Sequence, residues 1–432
     1  MLPFIVKELK KIQDPRNPGK VKHQLACIML YTLLSFVLKM SSRREINRKM
    51  SSAQLQKALF SMFPDLTSIP HADTINRILQ NINPENIEVI QIKLFKKLVK
   101  SKKFTRFLIN KSLPISIDAT QKTVRDGEWH DNWLIRTIKT TTGETKQQYL
   151  LVVEVNVTLH NGLSIPLLSE FLMLPDTVKG DLNEVKQDSE LKGFKRISEN
   201  LKKYFPRTKI ILILDALYTN GTVFQICADH DWSFMSYLSA NQLKSIRAEI
   251  DNDSNPTLIF PQYRGRKQYF KITNNILYKD SNGNSHEIHV VTCFERWKEI
   301  SKTTNEEKSM SAKHTWISNV EFTKENVHEM YNLGARSRWF IEDCFNTEKN
   351  RGYNFKHLYS HDWNSMVCFH LVMRLAHFIN SISQYTRGLK KLIRNNGVSY
   401  ILSIISKILF NPWFSSDEVS KLWNKKYQLI LE

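Results

Sequence analysis

Apolar positions recur every three or four residues through Ile87–Val99 (IEVIQIKLFKKLV), with lysines on the opposite side, and this spacing predicts an amphipathic helix. Leu25–Leu38 (LACIMLYTLLSFVL) is apolar throughout. Its 14 residues fall short of the ~20 needed to cross a bilayer and predict a buried core helix. Asp14–Gly19 reads as a turn before that helix, and Ser68–Arg77 as a short connection into another. The period changes near Lys111. Leu113–Asp118 (LPISID) is a short apolar run that ends in a carboxylate. Tyr149–Leu159 (YLLVVEVNVTL) is rich in β-branched residues, Asn161-Gly162 is a turn, and Leu163–Leu174 is the returning strand. An amphipathic helix follows over Asp181–Phe205, then an apolar strand over Lys209–Leu214 that stops at Asp215. Thr219–His230 reads as helix and Trp232–Leu238 as strand. That order predicts a mixed α/β sheet covered by helices.

Beyond residue 240, polar stretches alternate with short runs such as Tyr269–Thr273 and Glu287–Cys293, the pattern of a mostly β insertion. Helix returns at Lys324, around Glu325–Arg336 or on to Asn350, and again over Asn364–Ser383. The resulting organisation is a helical domain over 1–110 and the first part of an α/β core over 111–239. A β-rich insertion follows over 240–323, then the rest of the core over 324–385 and a helical C-terminal region over 386–432.

Charge changes this picture. The 62 Lys and Arg outnumber the 42 Asp and Glu, a net charge of +20, which calls for an anionic partner such as nucleic acid. The surplus is uneven. Residues 1–110 hold 20 basic and 7 acidic side chains, residues 111–330 hold 28 of each, and the remainder hold 14 and 7. Basic flanks therefore bracket a neutral middle, and short helices with a basic face suit a helix-turn-helix type of DNA-binding domain. Lysine-rich solvated helix faces are the competing explanation. The five cysteines are odd in number, widely spaced and free of C-x-x-C, which disfavours a disulfide framework or a cysteine zinc site and suits a reducing cytosol. The start of the chain lacks the order of a signal peptide, so the expected location is cytoplasmic, at the nucleoid, with no membrane partner.

Candidate chemistry sits on three acidic residues. Asp118 and Asp215 each close a strand-like run, and carboxylates at adjacent strand ends suit a hard divalent cation such as Mg2+. Either one could instead be a turn residue or helix cap. In Tyr331–Tyr353 (YNLGARSRWFIEDCFNTEKNRGY), Arg338, Glu342 and Lys349 lie at i, i+4 and i+11, one face over three helical turns. Trp339 and Phe345 fall to the side, where they could pack on the sheet. A glutamate between two cations can hold metal while Arg338 grips a phosphate bidentately and Lys349 acts as a point charge. An exposed helix with ordinary ion pairs fits the same spacing. His357 and His361, four apart, could share a helix face, but without further ligands they do not make a zinc site. No Walker-type loop or G-x-G-x-x-G occurs.

Together these motifs resemble the insertion-sequence transposases that carry an Asp-Asp-Glu triad on a ribonuclease-H-like fold, in the group with a Tyr-x2-Arg-x3-Glu-x6-Lys signature. Arg338, Glu342 and Lys349 match that spacing, and Ile117–Gln121 and Ile213–Tyr218 look like the first two acidic motifs. The signature tyrosine falls at Ala335, and Tyr331, one turn earlier, could stand in for it. The resemblance covers about Ser112 to Ser383. It implies Asp118 on the first strand, Asp215 on the fourth and Glu342 on a helix after a β insertion. It implies that the three hold two Mg2+ ions, with Mn2+ as a substitute, and that Arg338 and Lys349 contact DNA. It also implies cleavage at terminal inverted repeats of double-stranded DNA, joining of the freed 3′-hydroxyl to a target, and a homodimer on DNA. Some relatives stack an aromatic of the insertion on a flipped base, which points to Trp297 or Trp316, with core packing as the alternative for both. Tyr263–Lys267 (YRGRK) is a candidate backbone contact. Two other functions remain open: a catalytically inactive, transposase-derived DNA-binding protein, and a ribonuclease-H-like nuclease such as a resolvase.

Overall fold

A computed structural model describes the chain except for residues 41, 67, 142, 175–188, 253–257, 301–305, 411–414, 427, 429, 431 and 432. Six helices come first: α1 (Leu2–Leu9), α2 (Leu25–Val37), α3 (Arg43–Met50), α4 (Ala53–Met62), α5 (Ala72–Leu79) and α6 (Pro84–Lys100). Local chemistry sets their ends. Pro84 occupies the first position of α6, and the Asn83 side chain accepts the Glu85 N–H. α2 is buried almost all round.

The α/β part starts with β1 (Leu113–Asp126), β2 (Leu134–Thr140), β3 (Gly143–Thr158) and β4 (Ser164–Leu172). α7 (Glu190–Tyr204), β5 (Ile210–Leu214), α8 (Gly221–His230), β6 (Ser233–Tyr237) and α9 (Lys244–Asn252) follow. The first eight residues of the helix expected over Asp181–Phe205 lie outside the described residues. Next come β7 (Leu258–Tyr263), β8 (Arg266–Lys279), β9 (Ser285–Ile300) and β10 (Glu307–Ser318). A wide π-helical turn, Glu329–Gly334, and a tight 3-10 turn, Ala335–Arg338, lead into α10 (Trp339–Asn350). α11 (Trp363–Gln384), α12 (Arg387–Asn396), α13 (Val398–Phe410) and α14 (Ser416–Asn424) complete the chain.

All ten strands form one mixed sheet in the order β2-β3-β1-β5-β6-β10-β9-β8-β7, with β4 also on β3. β4 and β2 share one edge of β3, end to end, while β1 pairs along the other. The stretch β4-β3-β1-β5-β6, with β3 antiparallel to β1 and β5 parallel to both its neighbours, is compatible with a ribonuclease-H-like arrangement. The insertion is not a separate sheet, because β10 pairs with β6 and carries β9, β8 and β7 outward from the core. β2 is an added edge strand before β3, so Asp215 follows the fifth strand along the chain and the fourth, in chain order, of the β4-β3-β1-β5-β6 stretch. One expectation is corrected here. Asp118 lies inside β1 and does not end it, because β1 runs eight residues further along β3.

The two faces of the sheet differ. Ile115, Ile117, Val153, Val155, Leu212 and Leu214 belong to the main core with α7 and α8. That core also takes in α1, α2, α5, α6 and α11. Hydrogen bonds tie the first helices to the rest: Gln91 Nε2 donates to the Pro166 carbonyl (2.7 Å) and Asn364 Nδ2 to the Leu79 carbonyl (2.8 Å). On the other face Ile211, Ile213 and Met235 form a second core with Tyr331 and Trp316. Among the described residues only α11 is long and apolar enough to cross a membrane, and 89% of that window is buried inside the protein.

Gly221, at the start of α8, touches the β8–β9 turn. A Cβ there would lie 2.2 Å from Asp280 Cβ, and Asp280 is pinned by the backbone N–H groups of Asn282 and Asn284 (2.9 Å each). Gly221→Ala is therefore expected to lower stability by about 1–3 kcal/mol through overpacking. A thermal denaturation midpoint equal to the parent's would refute this.

Candidate active site

Asp118 and Asp215 meet through strand register. Ile117 is opposite Leu214 in the parallel β1–β5 pair, so the next residue of each strand emerges on the same face, about one strand spacing apart. β5 stops there while β1 continues, leaving both carboxylates at a step in the sheet. Asp118 Oδ1 accepts the Ala119 N–H at 2.9 Å. Its pKa is raised to about 6, by burial first and then by the charges of Asp215 and Glu342, against the downward pull of the Ala119 N–H and Arg338. All three acidic residues therefore share one electrostatic site.

Glu342 arrives on α10. Arg338 Nη2 lies 2.8 Å from Glu342 Oε1 at the i, i+4 spacing read from the sequence. The Glu342 side chain is 53% exposed, whereas that of Arg338 is 10% exposed. Arg338 Nη1 is buried with no hydrogen-bond partner, a donor left free beside the acids. Lys349 also faces β1: its Nζ donates to Thr120 Oγ1 at 2.5 Å, two residues beyond Asp118. Burial lowers the Lys349 pKa, and the charges of Glu348 and Asp118 act against that. Asp118, Asp215, Glu342, Arg338 and Lys349, distant in sequence, are thus gathered at one place.

The site residues fit a hard cation. The donors are all carboxylate oxygens, their mutual repulsion is visible at Asp118, and a divalent ion would relieve it. The candidate holders are Asp118, Asp215 and Glu342.

The aromatic expectations fare differently. Trp316 is 2% exposed, edge-on to Tyr237 at 5.5 Å, and belongs to the second core. Its assignment as a DNA contact is corrected, since its packing leaves no face for a base. Trp297 is half-buried; Arg266 covers its ring at 3.9 Å and its Nε1 donates to Glu299. Arg266 also pairs with Glu295 at 2.9 Å, so this cation of the basic YRGRK segment is already engaged. Tyr331 is 1% exposed and packs on Phe270, so it does not take the place of the signature tyrosine at the surface. Phe345 is buried as expected, but Trp339 is 37% exposed, three residues before Glu342. His357 and His361 lie in the loop between α10 and α11 and pack on different rings, Tyr359 and Trp129, so the shared helix face does not form.

Beneath α10 lies a polar layer that the sequence reading missed. Asp118 is directly opposite Glu154 on β3, and Ser116 opposite Asn156. Arg374 of α11, 1% exposed, reaches this face: Nη1 donates to Glu348 Oε1 (2.9 Å), and Nη2 to Asn156 Oδ1 (2.7 Å) with Glu154 Oε2 at 3.0 Å. His377 Nδ1 is 2.7 Å from the same Glu348 oxygen. Burial would raise the Glu348 pKa, but Arg374 and His377 outweigh it and hold it low; Glu154, also buried, is pushed up despite Arg374. Cys344, Glu348 and His377 group their ligand atoms within 4.8 Å, but the guanidinium already supplies the counter-charge there. A signal existed: His370, Arg374 and His377 recur at helical spacing in an otherwise apolar segment.

Residues 6–94 match a family model described as DDE_Tnp_1-associated. The match covers α2 to α5, the second half of α1 and most of α6, and makes this segment similar to one associated with DDE-type transposases. No curated protein matches the sequence.

Proposed function

We propose that the chain is a DDE transposase of a bacterial insertion sequence. The observation that carries this reading is the convergence of Asp118, Asp215 and Glu342 beside Arg338 and Lys349, behind helices of a transposase-associated type. The three acids hold a pair of Mg2+ ions, for which Mn2+ can substitute. When bound, the metal supplies activation of an attacking oxygen and stabilisation of the leaving oxygen in an in-line phosphoryl displacement. Arg338 offers its free Nη1 to a DNA phosphate, and Lys349 adds a point charge on the other side of Glu342. Exposed Arg44, Arg48, Lys49 and Arg77 on α3 and α5 give the first helices a basic surface for terminal repeats. Water as nucleophile gives cleavage, and the freed 3′-hydroxyl as nucleophile gives joining, so a single site serves both steps. Pairing of two ends calls for a homodimer on DNA.

The test is a strand-cleavage and joining assay on duplex carrying the element end, with Mg2+. Nicked ends followed by joined products are expected. Cutting without joining selects the nuclease reading, and binding without cutting selects the inactive DNA-binding reading. Arg338→Ala is expected to reduce the slope of log affinity against log salt by about one, the signature of one lost phosphate contact. An unchanged slope removes Arg338 from the interface.

A further inference from the structure

A fourth carboxylate reaches the same place from the opposite face of the sheet. Ser189 caps α7, accepting the Lys192 N–H, and Glu190 is the first helical residue. Gly193 lets that first turn settle on the strands: a Cβ there would be 2.5 Å from Leu172 Cδ2 and 3.0 Å from Val153 Cγ2. Glu190 and Phe194 are four apart and share a helix face. The Phe194 ring packs on Tyr218, centroids 5.1 Å apart, and Tyr218 ends the tight turn that begins just after Asp215. α7 therefore carries Glu190 to the carboxyl end of β5. Burial and the Asp215 charge both raise the Glu190 pKa.

The second observation is the Tyr218 hydroxyl. Tyr218 is 0% exposed and its hydroxyl has no hydrogen-bond partner. The charges that act on it are those of Glu190, Asp118 and Asp215, so it lies in the field of the acidic cluster. An unpartnered buried hydroxyl is costly, and this one is placed to donate to a carboxylate once that carboxylate is fixed.

We propose that Glu190 is a fourth carboxylate ligand of the divalent-cation site, acting beside Asp215, and that the Tyr218 hydroxyl is a positioning group that donates to Glu190 when the cation is held. This rests on the reading of Asp118, Asp215 and Glu342 as that site. The test is Mn2+ titration of the full chain without DNA, followed by the electron paramagnetic resonance of free Mn2+. Glu190→Gln is expected to weaken Mn2+ binding about tenfold or more, and Tyr218→Phe, which keeps the ring packing, to weaken it severalfold. Glu190→Asp keeps the charge but withdraws the oxygens, and is expected to bind as poorly as Glu190→Gln. Parent-like affinity in Glu190→Asp with loss in Glu190→Gln overturns direct ligation, since only the field then matters. An unchanged Tyr218→Phe overturns the role of the hydroxyl. Unchanged binding in all the Glu190 and Tyr218 variants, with loss in Asp118→Asn, overturns this inference and leaves the triad reading intact. No Mn2+ binding by the unaltered chain, or none lost in Asp118→Asn, overturns both.

Discussion

Asp118→Asn is expected to abolish Mg2+-dependent strand cleavage while raising the stability of the metal-free protein. The loss of cutting follows from its place in the shared field of the other two carboxylates. Removing a group that merely orients a metal ligand costs roughly 10–100-fold, and removing a ligand costs more. The gain in stability follows from its pKa, raised to about 6 by burial first and by Asp215 and Glu342 next. Between the ordinary value of 3.8 and that folded value, the native state binds more protons than the unfolded chain. The contribution of Asp118 to stability is thus fully present below pH 3.8 and is lost as pH rises through about 6. At pH 7.5 the ionised group is held at a cost of up to about 3 kcal/mol, reduced by solvent screening from the half-exposed Glu342. The amide of the variant removes that cost and keeps an oxygen to accept the Ala119 N–H. Melting in the absence of metal should therefore place Asp118→Asn above the parent at pH 7.5, with the advantage gone near pH 4. A variant that melts no higher at pH 7.5, or still cuts, would sink the assignment.

Much of this site was legible because the chemistry needs residues whose spacing survives folding. Arg338 and Glu342 are one helical turn apart in sequence and in space. Asp118 and Asp215 each follow an apolar run, and parallel pairing brought the two runs into register. What escaped reading had physical causes. β2 is an edge strand with Leu134 buried and Arg136 and Thr137 exposed, so its period-two signal is weak. The backbone widens over Glu329–Gly334 and tightens over Ala335–Arg338 before α10, and hydrophobic spacing does not distinguish such turns from a uniform helix. Trp316 and Trp297 were weighed by residue type, and type does not report burial. The largest omission was the polar face of β1 and β3. Ser116, Asp118 and Thr120 alternate with apolar residues, as do Glu154, Asn156 and Thr158, a pattern that ordinarily marks a solvated face. Here that face is covered, and Ser116, Glu154, Asn156 and Thr158 are 0% exposed. Arg374, turned inward from α11, reveals the cover, and its partners Glu154 and Asn156 are more than 200 residues away.

That covered layer yields the larger structural effect. Arg374→Met is expected to destabilise the fold by about 3–5 kcal/mol, because it leaves Glu154 and Glu348 facing each other in the interior with no guanidinium between them. The pair would not be missed for its own net contribution, which desolvation largely offsets; the cost is the unpaired charge that remains. Replacing Glu348 as well changes the sign of the argument. Arg374→Met combined with Glu348→Gln removes one cation and one anion, leaving Glu154, whose pKa burial already raises, to take up a proton. Much of the loss should then be recovered, and the coupling between the two substitutions should exceed about 1 kcal/mol. The functional consequence is directional too. Glu348 and Glu342 ride on the same helix, so loosening Glu348 from Arg374 frees α10 to tilt away from β1 and takes Glu342 and Lys349 with it. The single variant should therefore lose Mn2+ affinity even at temperatures where it stays folded, and the double variant should regain it only as far as α10 returns to Thr120. Denaturation midpoints and Mn2+ titration on the parent and both variants separate these outcomes. A single Arg374→Met chain as stable as the parent would mean that water or a second cation neutralises the layer, and the packing account would fail.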